Sequence, residues 1–253
     1  GTQVLLDAVN SAGIDQLIHI STSEVYGTSQ QHLMNEDHLL NPRSPYAAAK
    51  TGAERLAYSY WATFQTPVTI VRPFNNYGPH QHLEKLIPCF ITSALRGETL
   101  PMHGTGKSTR DWIFVEDTCR GVDAILRAPR EDTIGEVFNL GTGVDTSVLS
   151  ITEQLLDTLG KPRDLIQPVA ERPGQVDRHC ADYAKVKAVC GWEPQVTIDE
   201  GLRRTVQWYV DNRDWWDAPE TNGRGQRPWW DIEGISEASE QGQLGRLIEQ
   251  AKR

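Results

Sequence analysis

Short runs rich in Val, Ile and Leu alternate along the chain with stretches whose apolar residues recur at helical spacing. The pattern predicts helix over 2–12, strand over 16–21, helix over 44–65, strand over 67–72, helix over 84–97, strand over 111–115, helix over 116–128 and strand over 136–140. Strand, helix and strand in repeated succession point to a parallel sheet, because parallel neighbours need a long crossover and a helix supplies it. After Gly141-Thr-Gly143 the spacing changes to helix over 150–159, a short strand over 164–169, a helix near 183–190 and a long helix over 198–213. The fold class expected is α/β, with a doubly wound parallel sheet.

Composition narrows the classes of function. The 253 residues carry a net charge of −9, which argues against a general nucleic-acid binder, since that role needs a basic face. An anionic ligand would require a local cluster of Arg and Lys instead. The four cysteines, at 89, 119, 180 and 190, form no Cys-x-x-Cys, so free thiols in a reducing compartment are expected. No signal peptide heads the sequence and no apolar run approaches the length of a membrane span, so a cytoplasmic protein without a membrane partner is expected. His80, His82 and His103 lack metal-ligand company, and no metal is expected.

Candidate chemistry lies between residues 21 and 50. Gln16-Leu-Ile-His-Ile20 reads as a buried strand, and Ser21, Thr22, Ser23 and Glu24 follow where it leaves the sheet. In open parallel sheets, ligands bind at the carboxyl ends of the strands. The stretch SPYAAAKTGAERLAYSY (44–60) opens on a Ser-Pro helix start and puts Tyr46 and Lys50 on one face. An ammonium beside a phenol favours the ionised phenol, and the pair becomes a device for deprotonating a hydroxyl. The same spacing recurs at Tyr183 and Lys187 without chemical context, so context must decide. In the plainer alternative, Ser21 to Ser23 merely cap a turn and Glu24 is solvated.

STSEVYG (21–27), NPRSPYAAAK (41–50), RPFNNYGP (72–79), EKLIP (84–88), RDWIFVED (110–117) and GLRRTVQWYVDN (201–212) supply that context. Together they resemble the extended short-chain dehydrogenase/reductases acting on nucleotide sugars, the NAD-dependent epimerase/dehydratase family, most of all its dTDP-glucose 4,6-dehydratases. The likeness covers about residues 1–217. It implies a Rossmann-type sheet over 1–145 with a substrate-side insertion about 76–109, a smaller substrate-binding domain over 146–217, and an extension over 218–253 outside the family pattern. No Gly-x-x-Gly-x-x-Gly turn is present, and Gly104-Thr-Gly106 and Gly141-Thr-Gly143 are too short for one. By the resemblance the chain is an N-terminally truncated member lacking about three strands, which leaves 16–21 as an exposed apolar edge.

The resemblance also implies roles. Thr22, Ser23, Glu24, Tyr46 and Lys50 would be catalytic, and Ser21, Tyr46, Lys50 and Pro73 would contact NAD. Asn75, Lys85, Leu86, Arg110 and one of Arg172 and Arg178 would bind a nucleotide-diphosphate sugar, an extra residue in the 171–179 loop leaving the two arginines ambiguous. Plainer readings are an Asx turn at Asn75, a solvated Lys85, and a salt bridge from Arg110 to Asp111 or Glu116. A homodimer joined through the Tyr46 helix is implied. The implied reaction is C4 oxidation with NAD, loss of water across C5/C6 and return of hydride to C6. Ser23 stands where dTDP-glucose dehydratases usually carry an aspartate that protonates the departing water. UDP-glucuronate decarboxylation, which needs no such acid, is therefore an alternative, followed by 4-epimerisation. A catalytically inactive binding module is the alternative from another class.

Overall fold

The structure, a computed structural model, describes residues 1–171 and 174–217. The extension over 218–253 and Arg172 lie outside the described residues. In chain order the elements begin α1 (Thr2–Ala12), β1 (Leu17–Ile20), a 3-10 turn (Ser23–Tyr26), α2 (Pro45–Phe64), β2 (Val68–Pro73), β3 (Asn75–Tyr77), α3 (Leu86–Arg96), β4 (Leu100–His103) and β5 (Thr109–Phe114). They continue with α4 (Val115–Arg127), α5 (Arg130–Thr133), β6 (Val137–Leu140), β7 (Asp145–Ser147), α6 (Val148–Leu159), β8 (Ile166–Val169), α7 (Ala184–Cys190), α8 (Ile198–Asp211) and α9 (Arg213–Asp217).

The strands β1, β2 and β6 form a parallel sheet in that order, with Leu17 opposite Val68 and Ile70 opposite Val137. The central strand β2, Val-Thr-Ile-Val-Arg-Pro, is buried along nearly its whole length, as expected of a strand covered on both faces. Its neighbour β1 pairs only with β2 among the described residues and leaves Ile20 45% exposed, so it is an edge. On one face Leu6 and Ala57 pack against Val68 and Ile70; on the other, Ile125 and Val186 join Val71, Phe138 and Leu140. A third, larger cluster combines Phe90 and Ile91 of α3, Leu155 and Leu156 of α6, Val206 and Tyr209 of α8, and Trp216.

The helix that carries Tyr46 and Lys50 starts where its sequence says. The Ser44 side chain accepts from the Ala47 N–H at 3.1 Å, and Pro45 fills the first helical position, where its missing N–H costs nothing. It ends at Gln65, which adopts a left-handed φ of 55°.

Three strands depart from the predicted pattern. Asn75–Tyr77 and Asp145–Ser147 are short and mostly polar, without alternation, and Leu100–His103 carries a proline. Each is a strand because a distant partner takes up its hydrogen bonds: β3 pairs with β5, β7 with β5, and β4 with β8. Asp111, expected as a possible surface partner of Arg110, is instead fully buried. Its carboxylate accepts from Thr142 N (2.8 Å), Thr142 Oγ1 (2.7 Å), Gly143 N (2.9 Å) and Ala181 N (3.0 Å). It ties the loop after β6 to the segment before α7. Burial pushes the carboxyl up, opposed by those four donors. Asp111→Asn sets an amide N–H against a donor and should cost about 2–3 kcal/mol, lowering Tm by roughly 4–12 °C. An unchanged melting curve would show that this carboxylate does not hold the two segments together.

Candidate active site

At the carboxyl end of β1 the Thr22–Glu24 turn meets the helix that carries Tyr46 and Lys50. Thr22 is extended and caps the 3-10 turn, its Oγ1 accepting from Glu24 N at 3.2 Å. That bond engages an oxygen lone pair and leaves the Thr22 O–H free to donate. The α2 helix packs against this turn. From α2, Lys50 Nζ donates to the Ile20 carbonyl at 2.6 Å, which holds the ammonium at the last residue of β1. Tyr46, one turn earlier on α2, is 59% exposed, and its hydroxyl makes no hydrogen bond among the described residues. At the other Tyr/Lys spacing the surroundings differ: Lys187 pairs with Glu193 and Tyr183 packs edge-on against Trp192.

Beneath the turn runs a buried polar chain that sequence reasoning did not anticipate. Ser21 Oγ donates to Glu54 Oε2 at 2.6 Å, and Glu54 receives a two-pronged bond from Arg72 at 2.6 and 3.1 Å. Arg72 also donates to Tyr26 Oη at 2.7 Å, and Tyr26 donates to Asn139 Oδ1 at 2.8 Å. Ser21, expected to contact the cofactor, is thus a buried partner of Glu54.

His179 is the other residue the sequence did not single out. It reaches the turn from far along the chain, with Nε2 2.8 Å from the Gly27 carbonyl, and Nδ1 3.4 Å from Ser23 Oγ and 3.8 Å from Glu24 Oε1. Burial, then the charge of Arg110, push its pKa down to about 3, so the ring is neutral. Ser23, grouped with the catalytic residues on sequence, is buried and turned toward this imidazole. A hydrophobic partner pattern could not reveal His179; its placement depends on a contact across the fold.

The substrate-side candidates fall into distinct settings. Arg110 is 8% exposed, bonds the Thr109 carbonyl at 2.9 Å, and has no salt-bridge partner among the described residues, contrary to a surface pair with Asp111 or Glu116. Burial lowers its pKa, and the charges of Glu24 and Asp177 oppose that. Arg178 differs, because Asp145 already neutralises it through contacts of 3.0 and 3.1 Å. Asn75 lies in β3 beside Trp112, so it belongs to a strand rather than an isolated Asx turn. Pro73 ends β2. Lys85 caps α3 with its backbone alone, 3.4 Å from Glu84, and Leu86 is the first helical residue, packed against the large core cluster.

The glycine pairs are occupied by protein. A Cβ at Gly104 would meet the Glu171 carboxylate, and one at Gly141 would fall 2.4 Å from Ala181 Cβ, so neither glycine cradles a phosphate. A polar cleft of about 510 Å³ lies between Arg43, His103, Lys107, Ser108, Glu171 and Asp177. No group of three metal-ligating side chains exists among the described residues, and no helix there is long and apolar enough to cross a membrane.

The chain is 47% identical over 210 residues to the low-salt glycan biosynthesis protein Agl12 of Haloferax volcanii, covering 83% of this chain and 66% of that one. It is 43% identical over 216 residues to a dTDP-glucose 4,6-dehydratase of an Actinoplanes species, covering 85% and 67%. Among solved structures it matches DesIV, a dTDP-glucose 4,6-dehydratase from Streptomyces venezuelae with NAD bound, at a TM-score of 0.82 and 41% identity, covering 85% of this chain and 66% of that one. The chain thus spans about two thirds of the length of the curated relatives it matches. Residues 1–205 match the profile of the GDP-mannose 4,6 dehydratase family, and the chain belongs to that family.

Proposed function

We propose that this chain carries the catalytic groups of an NAD-dependent nucleotide-sugar 4,6-dehydratase, a lyase acting on a nucleoside diphosphate hexose. The observation that carries the reading is the meeting of the Thr22–Glu24 turn with the Tyr46–Lys50 helix at the end of β1. The exposed Tyr46 and the ammonium held at the Ile20 carbonyl would meet the nicotinamide-ribose end of NAD, with Ser21 and Pro73 as the further contacts the family resemblance implies; the described residues offer no glycine turn for its pyrophosphate. When bound, NAD would supply the hydride acceptor for C4 and the hydride donor for C6, leaving no net redox change.

The chain's own groups move the protons. Tyr46 takes the proton of the 4-hydroxyl, Lys50 stabilises the charge on the phenol oxygen, and Thr22 donates to the same substrate oxygen. The resulting 4-ketone acidifies the C5–H bond. Glu24 removes that proton, and water leaves from C6. Arg110, a buried cation without a salt-bridge partner among the described residues, attracts the diphosphate, with Asn75, Lys85, Leu86 and either Arg172 or Arg178 along the nucleotide. Arg110 is favoured over Arg178 because the latter's charge is already matched by Asp145.

A homodimer and a cytoplasmic setting complete the reading; all four cysteines are free thiols, as a reducing compartment favours. A second reading rests on Ser23. No carboxylic acid stands in its place, and loss of carbon dioxide from a UDP-glucuronate-type substrate requires none. The test is to incubate the protein, expressed with any coding sequence that precedes Gly1, with NAD and nucleotide sugars and to identify the product. Arg110→Gln should raise KM about tenfold to a hundredfold with kcat little changed, the worth of one charge-assisted contact. An unaltered KM would remove Arg110 from the binding site.

A further inference from the structure

We propose that His179 is a positioning residue for Glu24: a neutral imidazole whose bare Nδ1 accepts a hydrogen bond from the Glu24 carboxyl once that group has taken the substrate's C5 proton. The inference rests on the dehydratase reading above and adds to it a residue that holds the proton between its removal and its transfer.

The geometry fixes the tautomer. A carbonyl oxygen can only accept, so the 2.8 Å contact between Nε2 and Gly27 O places the ring proton on Nε2 and leaves a lone pair on Nδ1. Gly27 itself is held, with a φ of 67° and space so tight that a Cβ would lie 2.2 Å from the Asn41 carbonyl oxygen. The ring is fully buried and packs edge-on to Phe74 at 6.1 Å. Among the described residues the charged and titratable groups facing it are Arg110 from β5, Glu24 from the 3-10 turn, and His38 from the loop before α2; burial, Arg110 and His38 keep it unprotonated.

Nδ1 and an ionised Glu24 each present lone pairs, and at 3.8 Å they have no proton to share. Adding one proton to Glu24 turns that contact into an O–H···N bond. Ser23 Oγ, 3.4 Å from Nδ1, fills the acceptor weakly until then. The balance is complete without a further reactant. The C5–H bond breaks and its electron pair delocalises into the 4-ketone; an O–H bond forms on Glu24. That proton then joins the departing C6 hydroxyl as water while the pair forms the C5–C6 double bond. No proton passes to the imidazole.

The test separates the two half-steps in rapid-mixing experiments with a nucleotide hexose in deuterated water. Absorbance of reduced nicotinamide follows C4 oxidation, and deuterium uptake at C5 follows Glu24. His179→Phe should slow C5 exchange about tenfold to a hundredfold while C4 oxidation changes by no more than about twofold, and His179→Gln, which keeps a donor and an acceptor, should recover most of the loss. Equal slowing of both steps, or unchanged C5 exchange, overturns the inference alone. Absence of both steps in the wild-type protein overturns the dehydratase reading with it. Nitrogen-15 NMR of the wild-type imidazole needs no variant: a neutral Nε2–H ring from about pH 8 to about pH 5 is expected, and a doubly protonated ring at about pH 6 contradicts the proposal.

Discussion

Tyr46→Phe lowers kcat for 4-keto product by about a hundredfold to ten-thousandfold, the span associated with loss of a positioned proton acceptor. Substrate KM should move little, because the ring and its place on α2 persist. Stability should also persist: Tyr46 is 59% exposed and its hydroxyl has no partner among the described residues, so removing the oxygen strands no buried group. This separation of activity from stability is the informative part. Thermal melting and steady-state kinetics on the same preparation check it. Wild-type kcat in the Tyr46→Phe variant would mean that another group takes the 4-hydroxyl proton.

The second large effect is on stability and lies beneath the same turn. Arg72 and Glu54 are 2% and 0% exposed, and removing either charge leaves its partner buried and unmatched. Arg72→Met or Glu54→Gln should each cost about 3–5 kcal/mol, lowering Tm by roughly 6–20 °C. The double variant should lose less than the sum, because neither charge then remains alone. Burial would raise the Glu54 carboxyl, but bonds from Arg72, its charge, and the Ser21 hydroxyl outweigh burial and hold it below the usual range. A carboxyl depressed in the folded state contributes stability above its unfolded value, near pH 4.5, and loses it as pH falls through the folded one. Wild-type stability should therefore decline below about pH 4.5 more steeply than that of Glu54→Gln. Parallel acid denaturation curves would contradict this account. The pair matters for function as well, since Ser21 hangs from Glu54 at the point where β1 becomes the Thr22–Glu24 turn.

The long elements were legible in the sequence because their burial leaves a periodic trace. The run 44–60 shows its cap, its first proline and its apolar spacing, and α2 follows within a residue or two. Asn75–Tyr77 leaves no such trace, since what makes it a strand is β5, more than thirty residues away in the chain. The same distinction divides the site. Thr22, Glu24, Tyr46 and Lys50 sit close in sequence, so their spacing carries their chemistry. His179 lies 156 positions from Ser23, and nothing local distinguishes it from any other loop histidine. Glu54 reads as one more polar residue of a helix until Arg72, a residue of the buried strand β2, meets it. Arg178, read as a candidate ligand for phosphate, is held by Asp145, an aspartate that no local pattern pairs with it.

The most direct test of the central claim, that Tyr46, Lys50 and Glu24 act in turn on adjacent carbons of one sugar, follows a label. A nucleotide hexose carrying deuterium at C4 is incubated with the protein and NAD, and the product is examined by mass spectrometry and NMR. The account predicts a 4-keto product lighter by one water, with the deuterium now at C6. A product of unchanged mass, one lighter by carbon dioxide, or one whose label has left the sugar contradicts it.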